Sequence, residues 1–495
     1  MKNLNKYFVM VPVVAAVIVL GLSNCTKHDQ VLDLTTTTIT PVLNTDTLYS
    51  VSGTATLNPI GGSAWSGSIE GVWANAPALT VHAVVPDLGN NTFTGFIGNS
   101  TDIKMRSLYD ASNIYFLLEF NTDMKCVQSA QWYYNPKQTD STKWWAQEAT
   151  ASSLTNLSPD GSYRPAFAQD QIVMMFNISC STFNSLSCYA ACHVMSSYGG
   201  TSVPDGGVMY TNGPSERLDV WRARTMQGVP MNQANDCFID DGSSIGAGYG
   251  GVLDKNQVHG DWQVLNGPSS SVPTSLQSSG LNVVSPGATA SYAADGGFSN
   301  KQSLKITGPG APSPSKKAAI PIWVYPNGGY SNSAILISDT LTTGAAKKVT
   351  AVNILGVLTL SDGTTVDPRT SASGTAYQQV GSGDGPNCIP GSIIGAYTGS
   401  RGDVTVNAYY TGTGWRMLFQ RKLNTGDNIN DVNFSSLSDQ PFGVGAMFNR
   451  ADNQHAIVAG LTLHFGNRGS RIAQQGDHIS QQVSHSAQQN GSIKK

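Results

Sequence analysis

The chain has 495 residues, 52 of them glycine and only 12% charged, with a net charge of −3. The small net charge and the absence of any Lys/Arg run exclude a basic nucleic-acid surface. Glycine above the ~7% average, with charge at about half the usual share, points to a large β-rich globular protein without long amphipathic helices.

Lys2 and Lys6 precede an apolar run from Phe8 to Leu22 that ends in Leu22-Ser23-Asn24-Cys25. As a helix that run spans roughly 22 Å, short of the ~30 Å hydrocarbon core, so residues 1–24 read as a cleaved leader. Cleavage before Cys25 leaves this residue to be acylated, as in a bacterial lipoprotein signal peptide; the plainer reading is an ordinary leader with an incidental cysteine. Both predict export, and the first predicts a lipid anchor at Cys25 on a bacterial membrane, periplasmic or at the cell surface. Residues 25–50 are polar and rich in Thr and Asp, which predicts a tether. The folded domain is expected over 51–466. In an oxidising compartment Cys126, Cys180, Cys237 and Cys388 are open to disulfide formation, with the partners undetermined.

Leu79–Val85 and Ile114–Phe120 are apolar, β-branched or aromatic runs bounded by Gly, Asn, Asp or Pro, and they predict strands. Their spacing suits an all-β fold, an antiparallel β-sandwich with long loop insertions. From Asp123 a loop-like insertion carries Trp132, Tyr133, Tyr134, Trp144 and Trp145, which either pack over the core or form a stacking platform.

Asp170–Phe176 reads as a buried strand leading into Cys188-Tyr-Ala-Ala-Cys192-His193. Two cysteines followed directly by a histidine are the chemistry of c-type haem attachment: thioethers hold the porphyrin edge and the imidazole reaches the iron. The cysteines here are three residues apart instead of the usual two, so a simple Cys188–Cys192 disulfide remains the competing reading. Downstream, Met209 offers a thioether, and Trp221-Arg-Ala-Arg224 follows.

Residues 267–377 are rich in Ser, Gly, Pro and Thr, yet Ala319–Val324 and Val349–Leu360 still predict strands within the same domain. Val404–Tyr410 and Trp415–Arg421 predict a hairpin around Gly412. Residues 467–495 are Gln-, Ser- and Asn-rich and predict a disordered tail, in which His478 and His485 are solvated polar groups. His82, His259, His455 and His464 read as structural or surface residues. No nucleophile motif predicts a hydrolase.

Several stretches in order, Asp170–Phe176, Cys188–His193, Met209–Trp221, Asp295–Gln302, Ile320–Pro326, Gly356–Gly363, Ser400–Asp403 and Gly414–Arg421, resemble the haem-binding domain family of the ethylbenzene dehydrogenase haem subunit. The resemblance implies a β-sandwich, immunoglobulin-like or carbohydrate-module-like, holding one haem near one end of its sheets. It implies His193 as proximal ligand, with Met209 on the other face and Met195 a weaker candidate; His/Met ligation suits an electron-transfer haem of relatively high potential. Family members with a non-covalent haem use a Met/Lys pair and a Trp-x-Trp-Lys pattern. Arg224 stands where that lysine would be, and a guanidinium that stays protonated cannot ligate iron, although it matches a haem propionate. Trp221 and Arg224 are therefore expected as haem contacts, Cys188 and Cys192 as attachment points of a c-type haem, with b-type haem as the alternative.

The expected function is that of a membrane-anchored cytochrome passing single electrons between redox partner proteins, an electron carrier or the haem subunit of an oxidoreductase, with a molybdoenzyme among the partners the family suggests. The alternative is a haem-free surface lipoprotein that binds carbohydrate or another ligand on a platform of Trp132, Trp144 and Trp145.

Overall fold

A computed structural model describes residues 46–86, 97–123, 125–127, 131–134, 140–147, 169–193, 197–198, 201–202, 208–209, 211, 215–239, 259–260, 297–326, 334–341, 343–369, 389–397, 402–448 and 455–466. The leader, Cys25, Cys388 and the tail with His478 and His485 lie outside them. Among the described residues the only α-helices are two short ones, Phe183–Leu186 and Ile337–Leu341. The fold is all-β.

Eleven strands build the principal sheet: β1 Thr47–Ser52, β2 Leu79–Val84, β3 Ser100–Tyr109, β4 Asn113–Asn121, β5 Gln171–Asn177, β6 Leu218–Arg224, β7 Asn235–Ile239, β8 Thr405–Tyr410, β9 Gly414–Lys422, β10 Gln440–Met447 and β11 Ala456–Phe465. They hydrogen-bond in the order β7-β6-β5-β10-β11-β1-β3-β4-β9-β8, with His259–Gly260 outside β7 and β2 pairing both β11 and β3. The sheet folds over on itself into a sandwich. Phe116 of β4 meets Phe176 of β5 with ring centroids 5.9 Å apart and Trp221 of β6 at 5.7 Å, although four or five strands separate them along the hydrogen-bonded order. A bridge between Gln233 and Thr405, with Ala234 N–H donating to the Val404 carbonyl, ties the chain entering β7 to β8 at the opposite edge.

Period-two alternation sets what each face sees. On β9, Trp415, Met417 and Phe419 point into the sandwich core. On β6, Trp221 and Ala223 face that same core, whereas Leu218 and Val220 face outward into a separate apolar cluster. The β8–β9 turn takes the form the sequence predicts: Thr411 N–H donates to the Gly414 carbonyl at 2.8 Å, and Gly412 sits at φ +96°, where a Cβ would be strained.

Three expectations are corrected. Among the described residues the first strand starts at Thr47, inside the stretch read as tether: β1 runs parallel between β11 and β3, and its buried Ser50 hydroxyl accepts from Ser107 at 2.9 Å. Polar residues concealed in a strand defeat a reading based on apolar pattern. The run Ala319–Val324 is two strands, Lys317–Ile320 and Trp323–Val324, interrupted at Pro321, which has no N–H to give a ladder. The aromatic insertion is a hairpin, Trp132–Tyr134 on Trp145–Gln147. It packs with strands Gln302–Thr307, Lys317–Ile320, Lys347–Asn353, Leu358–Leu360 and Thr365–Val366 around a second core.

Asn300 fixes the chain beside that core. Its buried Nδ2 donates to the carbonyls of Trp323 and Pro390, its Oδ1 accepts from the N–H groups of Ile322 and Trp323, and its own carbonyl accepts from Trp132 Nε1 at 2.7 Å. Asn300→Ala strands four backbone groups at a cost of about 1–3 kcal/mol for each that water cannot reach. Chemical denaturation is expected to show a loss of roughly 3–5 kcal/mol, and a loss below about 1 kcal/mol would mean that the site rehydrates.

Candidate functional site

The motif segment is pinned as it leaves β5. Asn177 Oδ1 accepts from Cys180 N–H at 2.8 Å, and the Ile178 and Ser179 N–H groups both donate to the Arg217 carbonyl. Glu216 Oε1 accepts from the Ser181 N–H at 3.0 Å and from the Ser181 hydroxyl at 2.7 Å. A one-turn helix, Phe183–Leu186, follows, and Ser187 at φ 51° breaks it into the 3-10 turn Ser187–Ala190 that contains Cys188. Cys180, Phe183, Ala190 and Ala191 pack against Met175, Leu218, Val220, Cys237 and Ile239, the outer face of β5–β6–β7. Burial pushes the Cys180 thiol above its ordinary value. Thus the segment lies over the outer face of a three-strand platform.

Beyond Ala191, Cys192–His193 pairs antiparallel with Val208–Met209, in a register that sets Met209 opposite Cys192 and Val208 opposite His193. The backbone therefore brings together the end of the cysteine motif and the methionine that the sequence singled out. The side chains of Cys188, Cys192, His193 and Met209, and all of Met195, lie outside the described part of the structure.

Trp221 is elsewhere. It is fully buried on the inner face of β6, with its ring centroid 4.9 Å from Phe176, whereas the motif segment covers the outer face. Arg224 has the outward parity but stands at the far end of β6, paired with Gln171 at the start of β5, roughly 20 Å along the strand from Leu218. Its Nη1 donates to Gln227 Oε1 at 2.9 Å.

The inner face around Trp221 holds a buried charge cluster that sequence reading missed. Arg421 takes the next inward position after Phe419 on β9, and Asp219 the inward position before Trp221 on β6. They meet across the sandwich, Arg421 Nη1 donating to Asp219 Oδ2 at 2.5 Å, with both side chains fully buried. The guanidinium lies 4.6 Å from the Trp221 ring centroid and also donates to the Val432 carbonyl. Asp219 Oδ2 accepts in addition from Val432 N–H at 2.9 Å. Asp236 of β7 stands with Oδ2 3.8 Å from Arg421 Nη1, and Asp431, whose Oδ2 accepts from the Thr425 hydroxyl at 2.5 Å, completes the group. Burial and the Asp219 and Asp431 carboxylates raise Asp236 well above the usual carboxylate range. Burial and Asp219 push Asp431 up to about 7. The legible signal was parity: Trp415, Met417, Phe419 and Arg421 share one face of a strand.

Trp132 and Trp145 are buried, with Nε1 groups donating to the Asn300 and Gly356 carbonyls, and Trp144 stacks on Tyr134 at 5.4 Å. These rings are the second core, so Trp132 and Trp145 cannot serve as an exposed platform.

Among known families, residues 70–292 match the one described as Ethylbenzene dehydrogenase. That span supports an ethylbenzene dehydrogenase-like family relationship. It contains the whole motif segment, Met209, Trp221 and Arg224, and stops short of the later stretches from Asp295–Gln302 to Gly414–Arg421. A solved structure similar to this chain is a family 9 carbohydrate-binding module from Caldicellulosiruptor kristjanssonii in complex with cellotriose, at 6% identity and TM-score 0.24, covering 86% of this chain and 96% of that one. No curated protein matches.

Proposed function

We propose that this chain is an exported haem protein that carries single electrons. The observation that carries the reading is the ladder between Cys192–His193 and Val208–Met209, which lies within the family-matched span. An imidazole, a thioether and two thiols from this segment form a donor set that fits haem. His193 and Met209 would hold the iron, and Cys188 and Cys192 would attach the porphyrin. Bound there, the haem supplies a one-electron redox centre of relatively high potential. The chain's own contribution is to place the segment on β5–β6–β7 and lock its start through Glu216 and Asn177.

In this reading Cys25 carries the lipid, the tether holds the domain off the membrane, and the partner is a redox protein, a molybdoenzyme being the class the family points to. The chain delivers or accepts electrons and performs no substrate chemistry of its own. The carbohydrate reading loses two of its three rings, because Trp132 and Trp145 are buried, while Trp144 stays half-buried and stacked on Tyr134.

The test is the absorbance of the mature protein made in an export-competent host that matures c-type haems. A reduced Soret and α band is expected, with a pyridine haemochrome of c-type and an intact mass raised by one haem. A b-type haemochrome with no mass increment would keep the carrier and remove the attachment role of Cys188 and Cys192. A colourless protein that stays colourless after haem is supplied would overturn the reading.

A further inference from the structure

Among the described residues, the interior of the sandwich gathers more carboxyl groups than cations. Asp219, Asp236 and Asp431 are all buried, and each offers a carboxylate oxygen such that the three lie within 4.8 Å of one another. Arg421 is the one cation in contact with them among the described residues. Fully ionised, three carboxylates and one guanidinium would leave two negative charges in a medium where each uncompensated ion costs several kcal/mol. Without a further cation, burial and this mutual repulsion raise Asp236 and Asp431. The hydrogen bonding is equally incomplete. Asp219 spends Oδ2 on Arg421 and Val432, while its Oδ1 has no N–H donor. Asp236, 3% exposed, has no donor from outside the cluster on either oxygen, its contacts being Arg421 at 3.8 Å and the Asp219 carboxyl, a bond that needs a proton between the two. Burial of such acceptors is expensive unless something positive meets them.

We propose that Asp219, Asp236 and Asp431 bind one divalent cation of the calcium class, a site separate from the haem segment. Calcium accepts six to eight oxygens at about 2.3–2.6 Å, so oxygens of one shell stand up to about 5 Å apart, the scale on which these three are gathered. A charge of two cancels the surplus, and the open acceptors are the oxygens such an ion takes. Arg421 then positions a ligand: by holding Asp219 through Oδ2 it turns Oδ1 to the ion. Magnesium fits less well, since it demands near-octahedral geometry and retains waters, which an enclosed site of protein oxygens does not favour. Soft-metal chemistry is excluded by an all-oxygen donor set. Entry is through the loop between β9 and β10, in which Asp431 follows the exposed Ile429. If the carboxyls carry protons before binding, the cation displaces them to solvent, one proton for each carboxyl ionised.

The test uses the mature full-length protein, with and without haem, stripped by chelator and returned to calcium. One calcium per chain by elemental analysis is expected, with a melting temperature raised by roughly 5 °C or more at saturation. Asp236→Asn is expected to weaken calcium binding by roughly 100-fold and abolish the thermal response, with the absorbance spectrum unchanged. Calcium absent from the dialysed protein, or a melting temperature indifferent to both chelator and calcium, would overturn the site whatever the haem status. Should Asp236→Asn not fold, metal content and chelator response of the unmodified chain still decide. A response to magnesium equal to that to calcium would overturn the assignment of the ion.

Discussion

Arg421→Leu is expected to destabilise the protein by about 3–5 kcal/mol, the cost of breaking a buried ion pair from one side. The guanidinium is 1% exposed and touches both halves of the sandwich: Asp219 of β6, the Val432 carbonyl, and the faces of Trp221 and Phe434, the last at 5.3 Å. Leucine fills most of the stem's volume but takes the cationic side chain away from Asp219 and Asp236 and leaves the Val432 carbonyl without that donor. The expected measurement is a lower denaturation midpoint with an unchanged slope. Arg421→Leu combined with Asp219→Leu is expected to be more stable than Arg421→Leu alone, since the second change removes the orphaned charge. A single-variant loss below about 1 kcal/mol would show that the pair adds little to stability. The pair sits between strands distant in sequence, so its loss is felt by the sandwich as a whole and not by a local turn.

Of the platform strands β5 was legible, as was β9, because their apolar patterns are strong, whereas β6 and β7, interrupted by Asp219, Arg222 and Asp236, were not read as strands. Asp170–Phe176 predicts β5 to within a residue, and Trp415–Arg421 falls wholly within β9. What escaped was polar residues in strand interiors. Ser50 on β1 looks like tether because a serine says nothing of whether its hydroxyl will find Ser107. Asp219 and Arg421 look like surface charges on half-buried strands, because only the closing of the sandwich puts one opposite the other. Parity along each strand points inward for both, yet pairing across the core is a tertiary fact. The tryptophans of the insertion offered two readings, and the partners that decided between them, Asn300 and Gly356, lie 168 and 211 residues away. For the Cys188–His193 segment, the residue types suggested the chemistry, while the distance along the chain from His193 to Met209 concealed that their backbones share a ladder.

His193→Ala is expected to have the largest effect on the proposed activity. An imidazole next to Cys192 has short chain reach, so if the cysteines fix the porphyrin edge, His193 is the group in the motif placed to bind iron from the same segment. Its loss is expected to leave a coloured protein whose mass still includes haem, with the low-spin spectrum replaced by a high-spin one and electron transfer to a mediator slowed. Met209→Ala tests the other side. Met209 stands opposite Cys192 and diagonal to His193 in the register, and a thioether ligand raises the potential, so its removal is expected to lower it within the ~0.8 V range over which axial ligands act. Met209→His, which keeps a ligand and replaces sulfur by nitrogen, is expected to restore the low-spin spectrum at a lower potential than the unmodified protein. A Met209→Ala protein with unaltered spectrum and potential would remove Met209 from the iron while leaving His193 in place. Cys188→Ser with Cys192→Ser completes the set: retained colour without the mass increment would assign the cysteines to attachment alone, and the iron would then be held by groups on the two paired strands.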